Sequence, residues 1–277
     1  MTPQTFLIHS PNGALRGDIY LPDAARGVPV VVCCHGFKGF KDWGFWPEVG
    51  RRFAANGIAV VVFNMSGSGI GEDPETFSET EAFENNTVAK ELQDLGVVLE
   101  AVVSRQIPLG AADVRRLGVL GHSMGGGVGI LRASRDPRIK ALATSAAVAR
   151  FQRWDAASTS AWRDQGFLPV ENARTGQVFR LQLSFLEDIE AHADAYDIPT
   201  AASRIRVPYL IVHGTRDETV PVDDAGAIAE MGDRGYVRTM LVEGAGHTFG
   251  AAHPFAGTPP ELERAITASG DWFLRAL

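Results

Sequence analysis

The segment Gly121–Gly125, with the sequence Gly-His-Ser-Met-Gly, has the residue types and spacing of a nucleophile held in a tight turn. It follows an apolar run that ends at Leu120 and precedes a segment with helical spacing, which fits a strand, a turn and a helix. A side chain at either glycine would collide with its neighbours in such a turn. The pattern predicts nucleophilic chemistry at Ser123, where the start of the helix favours developing negative charge.

A serine hydroxyl needs a base within hydrogen-bond reach, because it is a weak nucleophile near neutral pH. His247 lies in a glycine-rich turn directly after the last predicted strand, so we predict it as the general base. His253 is the alternative, although its place next to Pro254 also fits an ordinary loop histidine. We expect His122, inside the nucleophile turn, to point away from the active site.

The base in turn needs a carboxylate that fixes its tautomer and stabilises the imidazolium. Asp217 follows a strand-like run and is predicted to reach the same sheet edge as Ser123 and His247. Glu218 is a competitor, as are Asp223 and Asp224. The last two fall where a helix is predicted to begin, and acidic residues favour the first turn of a helix for dipole reasons alone.

Two backbone N–H groups are predicted to form an oxyanion hole. One belongs to Met124, directly after the nucleophile, and the other to Phe37, in the glycine turn after the apolar run Val28–Cys34. The alternative interpretation is that this turn only ends a strand. Aromatic side chains near these groups are the candidates for the substrate pocket, although packing alone also explains them. The candidates are Phe37, Trp43, Trp154, Trp162 and Phe167.

Short apolar runs alternate along the chain with segments of helical spacing, which predicts an α/β fold with a mostly parallel sheet flanked by helices. An antiparallel hairpin is predicted to extend one edge. The predicted strands are Gln4–Ser10, Leu15–Leu21, Val28–Cys34, Ile58–Phe63, Leu117–Gly121, Ile139–Ser145, Tyr209–Val212 and Tyr236–Val242. The predicted helices are Pro47–Ala55, Thr87–Ser104, Met124–Ala133, Asp223–Met231 and Glu261–Leu277.

The alternation breaks over residues 149–204, an aromatic-rich stretch in predicted helical pieces. A connection of this length suggests an inserted cap, with residues 1–148 and 205–277 as the core. The alternative is ordinary packing on one side of the sheet. The insertion shows no evident ionic anchor for a peptide terminus, which favours small or aromatic esters over peptides.

Composition narrows the class of protein. The chain is 45% hydrophobic and 21% charged, with a formal net charge of −7, so it can build a core and lacks the basic surface that nucleic acid would need. The sequence predicts no membrane span and, by default, a cytoplasmic location. Cys33 and Cys34 are neighbours and are predicted to pack on opposite sides of one strand rather than to join.

The order Ser123, Asp217, His247, with a His-Gly-Phe turn upstream, resembles the α/β-hydrolase superfamily over nearly the whole chain. The sequence looks most like carboxylesterases and feruloyl-type esterases with a cap between the sixth and seventh core strands. It is also similar to hydrolases of the prolyl oligopeptidase group, but it lacks room for their propeller. The resemblance implies a sheet of about eight strands, acyl-enzyme chemistry, and no metal or organic cofactor.

These observations together predict a serine esterase that acts on a small-molecule ester. A peptidase or amidase is the alternative, an acyltransferase is a third, and a non-catalytic ligand-binding protein is a fourth that would have no reason to keep all three residues. The sequence leaves the oligomeric state open and is compatible with a homodimer.

Overall fold

The computed structural model describes residues 2–172 and 176–277. Met1 and residues 173–175, which the predicted core and insertion include, lie outside the described residues. Within the described ranges, eight strands form one sheet in the order β1-β2-β4-β3-β5-β6-β9-β10, and two others pair together. The strands are β1 (Gln4–Ser10), β2 (Gly13–Tyr20), β3 (Val30–Cys34), β4 (Ala59–Phe63), β5 (Leu117–His122), β6 (Ile139–Ser145), β7 (Phe167–Glu171), β8 (Val178–Gln182), β9 (Tyr209–Gly214) and β10 (Val237–Val242).

Helices cover both faces of the large sheet. They are α1 (Trp46–Ala55), α2 (Thr80–Glu84), α3 (Val88–Val103), α4 (Met124–Ala133), α5 (Ala156–Gln165), α6 (Leu183–Ala191), α7 (Ile198–Ala202), α8 (Val222–Met231) and α9 (Pro260–Ala276), with one 3₁₀ turn at Ser66–Ser68. Throughout the described ranges, no helix combines the length and the apolar character needed to cross a membrane.

The sheet confirms the predicted fold class. β1 and β2 form the predicted antiparallel hairpin, β2 runs antiparallel to β4, and the pairs from β4 to β10 are parallel. All residues of β3, β4 and β5 are buried, because valine-rich strands in the middle of a parallel sheet are covered on both faces. Most strand and helix boundaries lie within two residues of their predicted positions.

Two apolar clusters fill the space between the sheet and its helices. Residues of α1 and α9 belong to one cluster, and residues of α3, α4 and α8 belong to the other. Alternate side chains of β3 point into different clusters, as period-two geometry requires. Cys33 therefore packs on one face and Cys34 on the other, both buried and free, which confirms the interpretation of the two thiols as packing residues.

The segment between β6 and β9 has two structural parts. Parallel neighbours need a crossover, and α7 supplies it by packing against α4 and α8. The remainder contains α5, α6 and the antiparallel pair β7–β8. This pair corrects the expectation of helical pieces alone. Its first strand contains Pro169, a residue that argues against a strand when only the sequence is considered.

Candidate active site

Ser123 lies in the turn between β5 and α4, with φ 55° and ψ −122°. The two flanking glycines have no room for a side chain. A Cβ at Gly121 would lie 2.4 Å from the carbonyl oxygen of Gly125, and a Cβ at Gly125 would lie 2.2 Å from that of His35. The backbone of the turn is thus packed tightly on both sides of Ser123, and the hydroxyl lies at the carboxyl end of β5.

A chain of hydrogen bonds joins the three predicted side chains. The Nδ1 atom of His247 lies 2.8 Å from Oδ2 of Asp217, and its Nε2 atom lies 3.0 Å from Oγ of Ser123. An ionised carboxylate only accepts hydrogen bonds, so Nδ1–H donates to Asp217 and Nε2 is left to accept from the hydroxyl. The structure therefore brings Ser123, His247 and Asp217 together in the arrangement that proton transfer from the serine requires.

Asp217 is held rigidly in the loop after β9. Its Oδ1 atom accepts hydrogen bonds from the backbone N–H groups of Thr219 (2.9 Å) and Val220 (2.8 Å). Nε2 of His213 lies 3.5 Å from Oδ2. Burial would raise the pKa of the Asp217 carboxyl, but hydrogen bonds from His213, His247 and Val220 outweigh it and hold the pKa well below its usual range. The carboxylate stays ionised beside the imidazole.

The competing residues have other partners. Nδ1 of His253 accepts from the backbone N–H of Gly44 at 3.1 Å, and Nε2 lies 3.1 Å from Glu75. Asp224 pairs with Arg153 at 2.8 Å.

In the described part of the chain, no group of three or more His, Cys, Asp or Glu side chains is arranged to hold a metal ion.

The sequence led us to expect that His122 points away from the active site, but in the structure it lies against His247. Its Nε2–H donates to the backbone carbonyl of His247 at 3.0 Å, and the two rings lie 4.8 Å apart. Burial, followed by the nearby charge of His247, lowers the pKa of His122 to about 3, so the ring is neutral. His122 therefore supports the loop that carries His247, and its place next to the nucleophile in the sequence was the available signal.

The turn after β3 packs directly against the nucleophile. A Cβ at Gly36 would lie 2.8 Å from the Cβ of Ser123. The neighbouring His35 fixes the turn, because its Nε2 accepts from the N–H of Met65 at 3.1 Å and its Nδ1 donates to the carbonyl of Gly36 at 2.9 Å. Burial lowers the pKa of His35 to about 4, which keeps the ring neutral in this role.

The two predicted oxyanion donors belong to the two turns that pack together at Ser123. Phe37 follows Gly36 in the turn after β3, and Met124 is the first residue of α4. Among the described residues, neither backbone N–H has an acceptor within the protein. Both groups are thus free to donate to a bound oxygen. Their role as an oxyanion hole stays a prediction.

A cavity of about 620 Å³ contains Ser123 and His247. Its walls are largely apolar and come from both the core and the segment between β6 and β9. Two of the predicted pocket residues line it, Phe37 and Trp154, together with Phe151, Leu168, Val170 and Phe185.

The other three pocket candidates do not line this cavity. Trp43 stacks on His253 at a ring distance of 6.3 Å. Trp162 is 1% exposed and stacks against Phe185. Phe167 lies under the guanidinium of Arg180, 5.1 Å away. Tertiary packing, and not proximity along the sequence, sets the direction of each of these rings.

The cavity also carries positive charge that the sequence interpretation missed. Lys38, Arg150 and Arg153 line it. Two of them, Arg150 and Arg153, belong to the segment that was expected to offer no ionic anchor. That expectation was wrong, since basic residues scattered along the chain converge only after the segment folds over Ser123.

Comparisons with known proteins agree with the fold. The sequence matches the model of the alpha/beta hydrolase family over residues 31–258. It is 23% identical over 260 residues to 2,6-dihydropseudooxynicotine hydrolase of Paenarthrobacter nicotinovorans. The alignment covers 94% of this chain and 60% of that protein. The chain thus spans less than two thirds of this curated relative.

Two solved structures share the fold. Est1E of Butyrivibrio proteoclasticus, solved with ferulic acid bound, is 20% identical with a TM-score of 0.69 over 98% of both chains. An acylaminoacyl peptidase of Pyrococcus horikoshii is 20% identical with a TM-score of 0.70, over 99% of this chain and 41% of the peptidase. At this identity the likeness is one of fold.

Proposed function

This chain belongs to the alpha/beta hydrolase family, and from that premise we propose that it hydrolyses small carboxylic esters through Ser123, His247 and Asp217. One observation carries the proposal, namely the unbroken hydrogen-bond chain from Asp217 through His247 to Ser123. The three hydrogen-bonded residues adjoin a largely apolar cavity that is large enough for a small acyl or aryl ester.

In the first half of the reaction, Nε2 of His247 takes the proton from Oγ of Ser123 as that oxygen attacks the ester carbonyl. Asp217 remains ionised and stabilises the imidazolium. The N–H groups of Phe37 and Met124 donate to the new oxyanion. When the tetrahedral intermediate collapses, His247 returns the proton to the leaving alcohol and an acyl-serine ester remains.

In the second half, water replaces the alcohol. His247 takes a proton from the water as its oxygen attacks the acyl carbonyl, and the same two N–H groups bind the second oxyanion. Collapse of this intermediate breaks the bond to Oγ, and the proton passes from His247 back to Ser123. The acid is released and the enzyme returns to its starting protonation state.

Replacement of the nucleophile tests the proposal. We expect Ser123→Ala to lower kcat for short para-nitrophenyl esters by at least about 10³-fold and to abolish labelling by a fluorophosphonate probe. Ser104→Ala, at the exposed end of α3, is the matched control and should retain both properties. Unchanged ester turnover in Ser123→Ala would refute the proposal.

Amide hydrolysis is the second candidate, because the fold likeness extends to a peptidase and the cavity contains cations that could hold a peptide carboxylate. The same acyl-enzyme would form, with an amine as the leaving group. Matched esters and amides of the same acyl group separate the two activities: a much higher kcat/KM for the ester supports an esterase, and comparable values support an amidase.

A further inference from the structure

The charge of the cavity around Ser123 is opposite in sign to that of the chain. The chain carries a net charge of −7, yet the cavity is lined by three cationic side chains, Lys38, Arg150 and Arg153. Among the described residues, no Asp or Glu side chain lines it. The remaining walls are largely apolar, so these cations dominate the local field of the cavity.

The three cations differ in their partners. Arg153 is neutralised, since its guanidinium pairs with Asp224 at 2.8 Å and also donates to the carbonyl of Thr219. Within the described residues, the acceptor of the Lys38 ammonium is a neutral one, the backbone carbonyl of Glu171 at 3.3 Å. Arg150 has neither a hydrogen bond nor an ion pair within residues 2–172 and 176–277. Two positive charges thus line the cavity without an anionic partner among the described residues.

A neighbouring groove of about 710 Å³ provides an internal comparison. Arg150 borders this groove as well, which contains Asp197, Asp223 and Asp224. Asp224 is already paired with Arg153, and Asp197 caps α7 by accepting from the N–H of Thr200. Arg150 therefore lines the same groove as these carboxylates without forming an ion pair with any of them, and its guanidinium remains available to the cavity.

We propose that the substrates of this site are esters that also carry a free carboxylate, and that Arg150 binds that carboxylate with Lys38 adding to the local positive charge. The inference rests on the proposed ester hydrolysis and specifies its substrate class. A planar guanidinium can donate two parallel hydrogen bonds to a carboxylate, which fixes orientation as well as adding affinity. The apolar walls hold the remainder of the ester while the carbonyl reaches Ser123.

Pairs of substrates that differ only in charge test the proposal. One pair places the charge on the alcohol side, para-butyryloxybenzoate against para-butyryloxybenzamide. The other places it on the acyl side, the para-nitrophenyl monoester of adipic acid against the same ester with a terminal carboxamide. The measured quantity is the ratio of kcat/KM between the charged and the neutral member, compared across variants so that intrinsic reactivity cancels.

We expect Arg150→Gln to lower this ratio by about fivefold to tenfold for at least one pair, mainly through KM. Arg150→Lys should retain part of the preference, because it keeps the charge but loses the planar fork. Arg26→Gln is the matched control, since Arg26 is also exposed but precedes β3 and so lies at the opposite edge of the sheet. Added salt should reduce the preference of the native protein.

The outcomes separate this inference from the proposed function. If the esters are hydrolysed but Arg150→Gln leaves both ratios unchanged within about twofold, the carboxylate inference is overturned and the esterase stands. If no ester is hydrolysed, calorimetry decides with the amides para-butyramidobenzoate and para-butyramidobenzamide and the Ser123→Ala protein. Tighter binding of the charged amide, lost in the double variant with Arg150→Gln, supports the anchor, and equal binding overturns it.

The charged amide also shows whether the bound carboxylate belongs to an acidic ester or to the carboxyl terminus of a peptide-like substrate. If the native protein hydrolyses para-butyryloxybenzoate but leaves para-butyramidobenzoate intact, the result supports an acidic ester as the substrate. Cleavage of the amide at a comparable rate overturns the ester part of the inference and indicates a peptide-like substrate whose carboxyl terminus Arg150 holds.

Discussion

Ser123 has a backbone conformation that residues other than glycine rarely adopt, with φ at 55°. Such strain persists only where the surrounding structure enforces it, and here the enforcement comes from glycines packed against backbone. Gly36 extends this packing to the loop after β3, because a Cβ there would lie 2.8 Å from the Cβ of Ser123 and 3.3 Å from its Oγ. The position of the Phe37 amide relative to Ser123 thus depends on the absence of a single carbon atom.

We predict that Gly36→Ala lowers kcat for a neutral short ester by on the order of a hundredfold, the loss typical of one misplaced oxyanion donor. The added carbon pushes the turn away from Ser123, while the fold itself changes little. Steady-state kinetics together with thermal unfolding measure the two effects separately. Gly226→Ala, on α8 with no atom within 4 Å of the new carbon, is the control and should keep full activity. Native activity in Gly36→Ala would contradict the assigned role of the turn.

At the scale of elements, α3 carries two buried acids beneath the loop after β4. Asp94 accepts hydrogen bonds from the N–H and hydroxyl of Ser66 at 2.8 and 2.6 Å, and Glu91 accepts from the side-chain amide of Asn86 at 2.9 Å. Burial raises the pKa of Glu91 from 4.5 to about 8, against the hydrogen bond from Asn86 and with a further increase from the charge of Asp94. The folded chain therefore keeps Glu91 protonated near neutral pH.

The raised pKa predicts how stability depends on pH. Between pH 4.5 and about 8, the unfolded chain releases the proton of Glu91 while the folded chain holds it. The contribution of Glu91 to the free energy of unfolding then falls as pH rises, by up to about 1.4 kcal/mol per pH unit. Glu91→Gln cannot ionise and can keep the bond from Asn86, so its advantage over the native protein should grow with pH in this window.

Urea unfolding across that window measures the difference between Glu91→Gln and the native protein. Glu81→Gln, an exposed change on α2, should show no such growth with pH. A constant difference for Glu91→Gln would mean that Glu91 is ionised in the folded protein.

At the scale of the whole molecule, two buried neutral histidines act in the opposite direction. Burial holds the pKa of His35 at about 4 and that of His122 at about 3, against an ordinary value of 6.5. Their contribution to the free energy of unfolding is fully present above pH 6.5 and is lost as pH falls through the pKa values of the folded protein. The loss arises because the unfolded chain takes up protons first. Each histidine adds a slope of up to about 1.4 kcal/mol per pH unit.

We therefore expect the free energy of unfolding to decrease between about pH 6.5 and about pH 4, and the His122→Gln variant to show a shallower decrease than the native protein. Chemical denaturation at a series of pH values measures both slopes. His9→Gln, a change at an exposed position on β1, should leave the slope as it is. Equal slopes for His122→Gln and the native protein would show that His122 is not held neutral.

Much of the molecule was predictable from its sequence, because valine-rich runs and glycine turns have direct structural meanings. Ser123, Asp217 and His247 each follow a strand of one parallel sheet, and this order alone placed them at a common edge. The direction of individual side chains was not predictable. Trp43 turned toward His253, and the cavity wall at Arg150 arose only when distant segments met.

The order of the three residues along the chain has a consequence for biosynthesis. The ribosome delivers Ser123 first, then Asp217, and His247 only after β10, the strand that completes the sheet edge beside β9. A nascent chain that ends before residue 247 lacks its base, however well its earlier strands have folded. The proposed activity thus becomes possible only after the ribosome has passed residue 247.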